Sequence, residues 1–157
     1  MSFDNIPSEL KAVPQWIAWK LMQRPGAKKP TKVPINPHTG KLASTTDPTT
    51  WGTFEQARET AKQYTGIGFV FTENDPYCGI DIDGQIDNEL IEWMDSYTEY
   101  SYSGNGAHII CKAVVGSGHK RDPYEIYDRK RYFVFTGRVI ADKPVEERQE
   151  KVNLFID

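Results

Sequence analysis

The segment GIDIDG, residues 79–84, alternates apolar and acidic residues and constrains the fold more than any other stretch of the chain. In a β-strand, side chains at positions i and i+2 lie on the same face. A strand here turns Ile80 and Ile82 toward a core and turns Asp81 and Asp83 together toward the opposite face. The Cα atoms of the two aspartates are then about 6.6 Å apart. The pattern predicts a strand with one core face and one acidic face.

The rest of the chain mixes extended and helical patterns. Apolar and β-branched residues predict strands over 14–21, 65–72 and 77–83, with a hairpin or tight turn at 74–76. Helices are predicted from about Thr53 and over 87–97, where Asp87 or Asn88 is the expected cap. A glycine-rich turn leads into a further strand after Gly106, and two more strands are expected on either side of residues 128–130. Together these elements predict an α+β fold.

The chain length of 157 residues suits one domain with its own core. We expect this domain over residues 1–140, with residues 141–157 as a C-terminal extension in the position of a linker to a further domain. No run approaches the roughly 20 apolar residues of a membrane span, and the N-terminus lacks a signal-peptide pattern. We therefore expect a cytoplasmic protein with no membrane partner. Cys78 and Cys111 have no CxxC spacing, which favours core packing over a zinc site.

Charge is segregated along the sequence. Residues 10–46 contain basic residues but no Asp or Glu, and residues 63–111 contain acidic residues but no Lys or Arg. Basic residues return between Lys112 and Arg138. An acidic centre between basic flanks is typical of a site where cations and a polyanion meet, although ordinary solvated faces give the same pattern.

The two same-face aspartates are candidate metal ligands. Two carboxylates this close repel each other unless a cation lies between them, and they can bracket two divalent ions roughly 3.5–4 Å apart. Hard oxygen ligands favour Mg²⁺ or Mn²⁺ over zinc. The alternative is a pair of exposed turn residues at the end of a strand.

The segment SYSGNGAHII, residues 101–110, is a candidate phosphate site. Glycines such as Gly104 and Gly106 let backbone N–H groups approach a phosphate, and Ser103 and His108 supply directed donors. An ordinary hairpin turn with a surface histidine would have the same sequence. Further along, Glu125 lies among apolar and aromatic residues of a predicted strand.

Taken in order, GIDID, SYSGNGAHI and YEIYDRKRYFVFTG resemble the three-motif layout of the archaeo-eukaryotic primase superfamily, in its phage and plasmid primase-polymerase branch. Upstream, QWIAWK and KVPINPHTGKLASTTDPTTWGTFEQA resemble the N-terminal block of those phage proteins, so the resemblance covers residues 6–140. It implies a template-directed nucleotidyl transferase with DNA primase or DNA polymerase activity. It also implies an RRM-like mixed or antiparallel sheet that carries the catalytic acids, with a smaller N-terminal αβ unit closing the cleft.

By this resemblance, Asp81 and Asp83 match the metal-binding DxD pair, and Glu125 matches a third carboxylate that is often aspartate in the family. The implied cofactors are two Mg²⁺ or Mn²⁺ ions. Ser103 and His108 match residues that hold the incoming triphosphate. The other nucleotide-binding candidates are Gly104, Gly106 and Arg131, and the template-binding candidates are Lys28, Lys29, Lys32 and Lys112.

The implied partners are a single-stranded DNA template, a primer strand and deoxy- or ribonucleoside triphosphates. A replicative helicase domain or subunit is also implied, because the family often continues into one. Two other classes stay open at this point. A metal-dependent nuclease would use the same carboxylates without needing the Ser/Gly/His turn, and a non-catalytic single-strand binding module would use the basic loops without needing same-face aspartates.

Overall fold

The computed structural model describes residues 2–157 and has an α+β architecture, which confirms the predicted class. The helices are α1 Ser8–Lys11, α2 Phe54–Ala61, α3 Asn88–Met94 and α4 Gln149–Ile156, with a short 3₁₀ turn over Pro48–Thr50. The strands are β1 Trp16–Met22, β2 Thr31–Ile35, β3 Gly66–Phe71, β4 Tyr77–Ile82, β5 Thr98–Tyr100, β6 Ala107–Lys112, β7 His119–Arg121, β8 Tyr124–Tyr127, β9 Arg131–Phe135 and β10 Val139–Ala141. Within residues 2–157, every helix is too short or too polar to span a bilayer.

The strands form two antiparallel sheets. The first sheet has the order β2-β1-β3-β9, and the second has the order β10-β5-β6-β4-β8-β7. The smaller sheet is therefore not built from N-terminal residues alone. Its strand β9 comes later in the chain, after five of the six strands of the second sheet. Every strand pair in both sheets is antiparallel.

The chain crosses between the sheets at three short connections, the last of which, over residues 136–138, leads from β9 to β10. The turn at 74–76 forms as predicted, with Asp75 accepting hydrogen bonds from the N–H groups of Thr72 (2.9 Å) and Tyr77 (2.7 Å). The hairpin alternative is wrong, because β3 pairs with β1 and β9 whereas β4 pairs with β6 and β8. Residues 128–130 likewise connect β8 in the second sheet to β9 in the first.

Two apolar regions stabilise these layers. One face of the second sheet packs on α3 and α4, and there Ile80 and Ile82 are fully buried, as their alternation predicts. A cluster of edge-to-face aromatic rings, including Trp16, Phe69 and Phe135, joins both sheets. Burying one such side chain contributes about 1.5–3 kcal/mol, so these clusters set the spacing of the layers.

Capping residues fix where helices α2 and α3 begin. Thr53 begins α2 with a capping box to Gln56, and the Asp87 side chain caps α3 by accepting from the Leu90 N–H at 3.1 Å.

Cys78 and Cys111 are buried at facing positions of β4 and β6 with their sulfur atoms 3.3 Å apart. The hydrogen bond with Cys111 and burial together raise the pKa of the Cys78 thiol.

Residues 139–157 pack on the second sheet. Strand β10 pairs with β5, and Val152 of α4 is fully buried in the apolar region under that sheet. Arg148 donates to the carbonyl groups of Met94 (2.6 Å) and Asp95 (2.8 Å), which ties the start of α4 to the end of α3.

Candidate functional site

A row of ionisable side chains crosses the second sheet. Through the pairing register, β4 residue Asp81 lies opposite His108 of β6 on one side and Glu125 of β8 on the other. The row continues to Glu99 of β5 and Lys120 of β7. Directly opposed residues of an antiparallel pair share a face, so all five belong to the face that Ile80 and Ile82 do not occupy.

A cavity of about 380 Å³ opens over the centre of this row. The structure brings seven of the sequence-predicted residues to its wall: Lys32, Asp81, Asp83, Ser103, His108, Glu125 and Arg131. Ser101 and Tyr102 of the wall belong to the predicted segment 101–110, and the remaining wall residues were not predicted: Tyr127, Tyr132, Phe133 and Val134.

The three carboxylates come from two neighbouring strands. Because Asp81 and Glu125 are directly opposed, their Cβ atoms are about 4.5–5.5 Å apart. Asp83 follows β4 on the same side as Asp81, and its N–H donates to the Pro123 carbonyl at 2.9 Å. The Tyr127 hydroxyl donates to Oε1 of Glu125 at 2.6 Å, and burial together with this bond raises the pKa of Tyr127.

His108 links the two sheets at the cavity floor. Its Nδ1 lies 3.1 Å from the Val134 carbonyl oxygen, which can only accept, so this contact is a hydrogen bond in the tautomer that has its proton on Nδ1. Its Nε2 lies 3.2 Å from Oδ1 of Asp81. Since an ionised Asp81 also only accepts, both contacts are hydrogen bonds when the imidazole carries two protons. The histidine side chain is 12% exposed and the aspartate side chain is 29% exposed.

The glycine that begins GIDID makes room for this arrangement. A Cβ atom at Gly79 would collide with the ring of Phe133, which lies over β4. The same ring contacts the imidazole of His108, with 4.8 Å between ring centroids. A larger residue at position 79 would therefore displace the floor of the cavity.

The Ser/Gly loop between β5 and β6 uses most of its own donors. The N–H of Gly104 donates to the Ser101 carbonyl at 3.0 Å, and the N–H of Gly106 donates to the Ser101 hydroxyl at 3.1 Å. Gly104 has a φ of +84°, and a Cβ at Gly106 would collide with the Ile82 carbonyl. Neither glycine lines the cavity, so their position supports a turn, and phosphate binding by their N–H groups stays a prediction. Ser103 does line it.

Two residues that the sequence analysis did not predict stabilise this region. Arg138 holds the loop, and Glu99 lies at the buried end of the charged row. Arg138 donates to the carbonyl groups of Ser101 (2.7 Å) and Tyr102 (2.8 Å). Glu99, which is fully buried, accepts from the Tyr97 hydroxyl (2.6 Å) and from the N–H groups at 136 (2.6 Å) and 137 (3.2 Å). Burial raises the pKa of the Glu99 carboxyl. Tyr127 had a sequence signal, its i+2 spacing from Glu125, whereas Glu99 and Arg138 had none.

The basic residues predicted to bind the template do not all lie near the cavity. Lys32 lines the cavity, and Lys28 and Lys29 lie in the exposed loop between β1 and β2. Lys112 lies at the other end of β6 from His108, with its ammonium 3.0 Å from Glu9. Its position gives no support to template binding, which stays a prediction for this residue.

The donor set at the cavity suits a hard cation. Among residues 2–157, no group of three or more His, Cys, Asp and Glu side chains is arranged to hold a metal ion by itself. Mg²⁺ is usually bound by one or two carboxylates together with waters and substrate phosphates. Asp81 and Asp83, as adjacent oxygen donors without a thiol nearby in the cavity wall, fit that chemistry.

The chain is similar in sequence to a known phage protein. It is 35% identical over 144 residues, 80% of this chain, to the DNA primase-polymerase of Nitratiruptor phage NrS-1. The chain spans about a fifth of the length of that relative, since the match covers 19% of it. No protein-family model matches the chain. The similarity supports the primase-polymerase family that the three motifs resemble.

Proposed function

We propose that this chain is a primase-polymerase catalytic unit that carries out template-directed nucleotidyl transfer in the replication of a phage, plasmid or other mobile element. The observation that carries the proposal is the meeting of Asp81, Asp83, Glu125, Ser103 and His108 at one cavity. The similarity to a phage protein named DNA primase-polymerase supports the same reaction. In this proposal the six-stranded sheet is RRM-like and carries the catalytic acids, and the four-stranded sheet closes the cleft.

The proposed cofactors are two Mg²⁺ or Mn²⁺ ions, held by Asp81 and Asp83 with Glu125 as a third ligand. When bound, such ions neutralise the triphosphate and lower the pKa of the attacking primer hydroxyl. The bond from Tyr127 to Oε1 of Glu125 leaves Oε2 of that carboxylate as the oxygen free to face a cation. Tyr127 thereby orients the third acid.

His108 and Ser103 are the proposed contacts to the incoming triphosphate. In the structure, Nε2 of His108 lies against Asp81, and a phosphate oxygen in the cavity would replace Asp81 as the acceptor of its proton. Nδ1 stays on the Val134 carbonyl throughout, so the ring keeps its orientation. Such a charge-assisted bond is worth about 1.5–3 kcal/mol.

The proposed strand contacts lie on the basic side of the cavity. Lys32 lines its wall beside Arg131, which is a proposed contact to the nucleotide, and Lys28 and Lys29 follow in the β1–β2 loop. Arg131 lies with its guanidinium 4.5 Å from the centre of the Tyr127 ring. In the described part of the chain, none of these four cations is in an ion pair, so their charge is available to a polyanion. The proposed partners are a single-stranded DNA template, a primer strand, dNTPs or NTPs, and a replicative helicase.

The test is to incubate the protein with a labelled primer on a template, nucleotides and Mn²⁺. Extension of the primer supports the proposal. Shortening without added nucleotides would identify a metal-dependent nuclease instead, and retardation alone would identify a non-catalytic binding module. Asp142→Asn is the matched control for aspartate variants at the cavity, because Asp142 is exposed and lies in none of the ion pairs found within residues 2–157.

A further inference from the structure

A second depression adjoins the carboxylate cavity. It has a volume of about 540 Å³ and is lined by the loop 116–118, Tyr127 and residues 129–131. Tyr127 and Arg131 line both spaces, so the two adjoin across these side chains. We call this second space the basic groove.

The walls of the basic groove are held in place from below. Asp128, only 4% exposed, accepts from the N–H groups of Val115 (2.7 Å) and Gly116 (3.2 Å), which ties the loop to the turn between β8 and β9. A Cβ atom at Gly118 would collide with the Tyr127 ring, so the loop lies directly on that ring. On the other wall, the N–H of Lys130 donates to the Phe71 carbonyl at 3.2 Å.

The groove is positively charged and has free donors. Arg129 is paired with Asp128 and Glu73, each at 2.8 Å, but across residues 2–157 neither Lys130 nor Arg131 is in an ion pair. No carboxylate lines the groove. The N–H and hydroxyl of Ser117 donate to no acceptor in the described structure. Cations, backbone N–H groups and hydroxyls are the groups that contact nucleic-acid phosphates without reading sequence.

A third cavity, with mixed polar and apolar walls, adjoins the basic groove. This cavity, of about 580 Å³, shares Arg129 and Lys130 with the groove and has Pro48, Trp51 and Phe71 in its wall. Three adjoining spaces give room for a ligand longer than one nucleotide.

We infer that the basic groove binds phosphates of a single-stranded nucleic acid. The identity of the carboxylate cavity rests on the proposed function, but the groove is assigned from its own residues, Ser117, Lys130 and Arg131. This strand contact is separate from the β1–β2 loop that carries Lys28 and Lys29.

The first test removes one charge from the groove. Lys130 has a φ of +58°, and Lys130→Asn suits this backbone because asparagine tolerates the left-handed region. Binding of a labelled oligothymidylate is measured by fluorescence anisotropy over a series of salt concentrations. We expect weaker binding and a log–log salt slope less negative by about 0.7, the value for one phosphate contact on a single strand. Lys62→Asn, which removes an exposed lysine at the end of α2, is the matched control and should bind like the wild type.

A second pair of variants keeps the test informative if Lys130→Asn does not fold. Ser117→Glu and Ser117→Gln place side chains of the same size at an exposed loop position, and only the first adds a negative charge. We expect Ser117→Glu to weaken oligothymidylate binding several-fold more than Ser117→Gln. Equal affinities for this pair, or an unchanged salt slope for a folded Lys130→Asn, would overturn the inference.

Inorganic tripolyphosphate distinguishes a strand from a free polyphosphate. Groove variants that lose oligothymidylate affinity but keep tripolyphosphate affinity support the inference, and the reverse result overturns it. Primer extension by the wild type is scored separately. Extension together with normal strand binding by the groove variants would leave the function standing and remove the groove. Strand binding that depends on the groove, without primer extension by the wild type, would support the groove and overturn the proposed function.

Discussion

The two faces of the second sheet are built by alternating residues of the same strands and yet differ in how their interactions are satisfied. On one face Ile80, Ile82 and Ile109 are fully buried under α3 and α4. On the other face Asp81 lies between His108 and Glu125, partly open to solvent in the cavity. The side chains of the apolar face find all their contacts within the protein, because dispersion and burial need only well-packed neighbours. The polar face brings Asp81 and Glu125 side by side, with His108 next to Asp81.

This difference separates stability from function within a single strand. Packing on the apolar face fixes the position of β4, whereas the carboxylates on the opposite face repel one another. Variants on the two faces should therefore change different measurements. The following predictions are ordered from the largest expected effect to the smallest.

The largest effect is expected on the polar face. Asp81→Ala or Asp83→Ala should lower primer extension by about a thousandfold or more, because metal-held charge stabilisation supplies several kcal/mol to the transition state. The melting temperature should hold or rise, since removing one acid relieves repulsion and leaves Ile80 and Ile82 buried. Activity is measured by gel extension and folding by thermal unfolding, with Asp142→Asn as the control. Near wild-type extension by either variant would remove the metal assignment.

The apolar face should give the opposite result. Ile80→Ala should lower the free energy of unfolding by about 2–5 kcal/mol, because it leaves a cavity against α3. Ile80→Val, which keeps the branched shape, should cost only about 0.5–1.5 kcal/mol. Denaturant unfolding measures both, and extension is normalised to the folded fraction. If Ile80→Ala loses activity per folded molecule at unchanged stability, the two faces are not separable in this way.

His108 should show a mixed but mainly functional effect, because it touches both sheets and the cavity. His108→Ala should lower kcat/KM for the nucleotide by roughly ten- to a hundredfold, the equivalent of one charge-assisted phosphate bond. Ser103→Ala should cost less, since a neutral hydroxyl bond contributes about 0.5–1.5 kcal/mol. Nucleotide saturation curves and thermal unfolding are recorded on the same preparations, with the exposed His119→Ala as the control. Reduced stability with unchanged kinetics would assign His108 a purely structural role.

The smallest effect concerns the buried end of the charged row. Because burial raises the pKa of Glu99, the native state binds this proton more tightly than the unfolded chain does. Its contribution to stability is therefore greatest below the unfolded pKa, about 4.3, and falls as pH rises toward the raised native pKa. Glu99→Gln should flatten this part of the stability curve.

The measurement is the difference between wild-type and Glu99→Gln unfolding free energies at a series of pH values upward from 4. Glu92→Gln, at an exposed position of α3, is the control and should follow the wild-type curve. A wild-type curve that rises relative to Glu99→Gln over this range would show that the three donors to the carboxyl outweigh its burial.

The strand around GIDID and the two capped helices follow from local sequence alone. The period of two places Asp81 and Asp83 together whatever the partner strands are, and Thr53 and Asp87 cap the helices that they precede. The order of the motifs and their resemblance to primase-polymerases were likewise present in the sequence. The α+β class needed no more than these local patterns.

The neighbours of those residues depend on the tertiary structure. Nothing local places Glu125 opposite Asp81, puts Glu99 behind His108, or sends β3 and β4 into different sheets. The same holds for Lys112, which shares a strand with His108 but pairs with Glu9 at its far end. Strand geometry determines which face a side chain occupies, because it depends only on the backbone of that strand. Strand pairing determines which charges meet, because its register is set by the packing of distant aromatic and apolar residues such as Phe133 over Gly79.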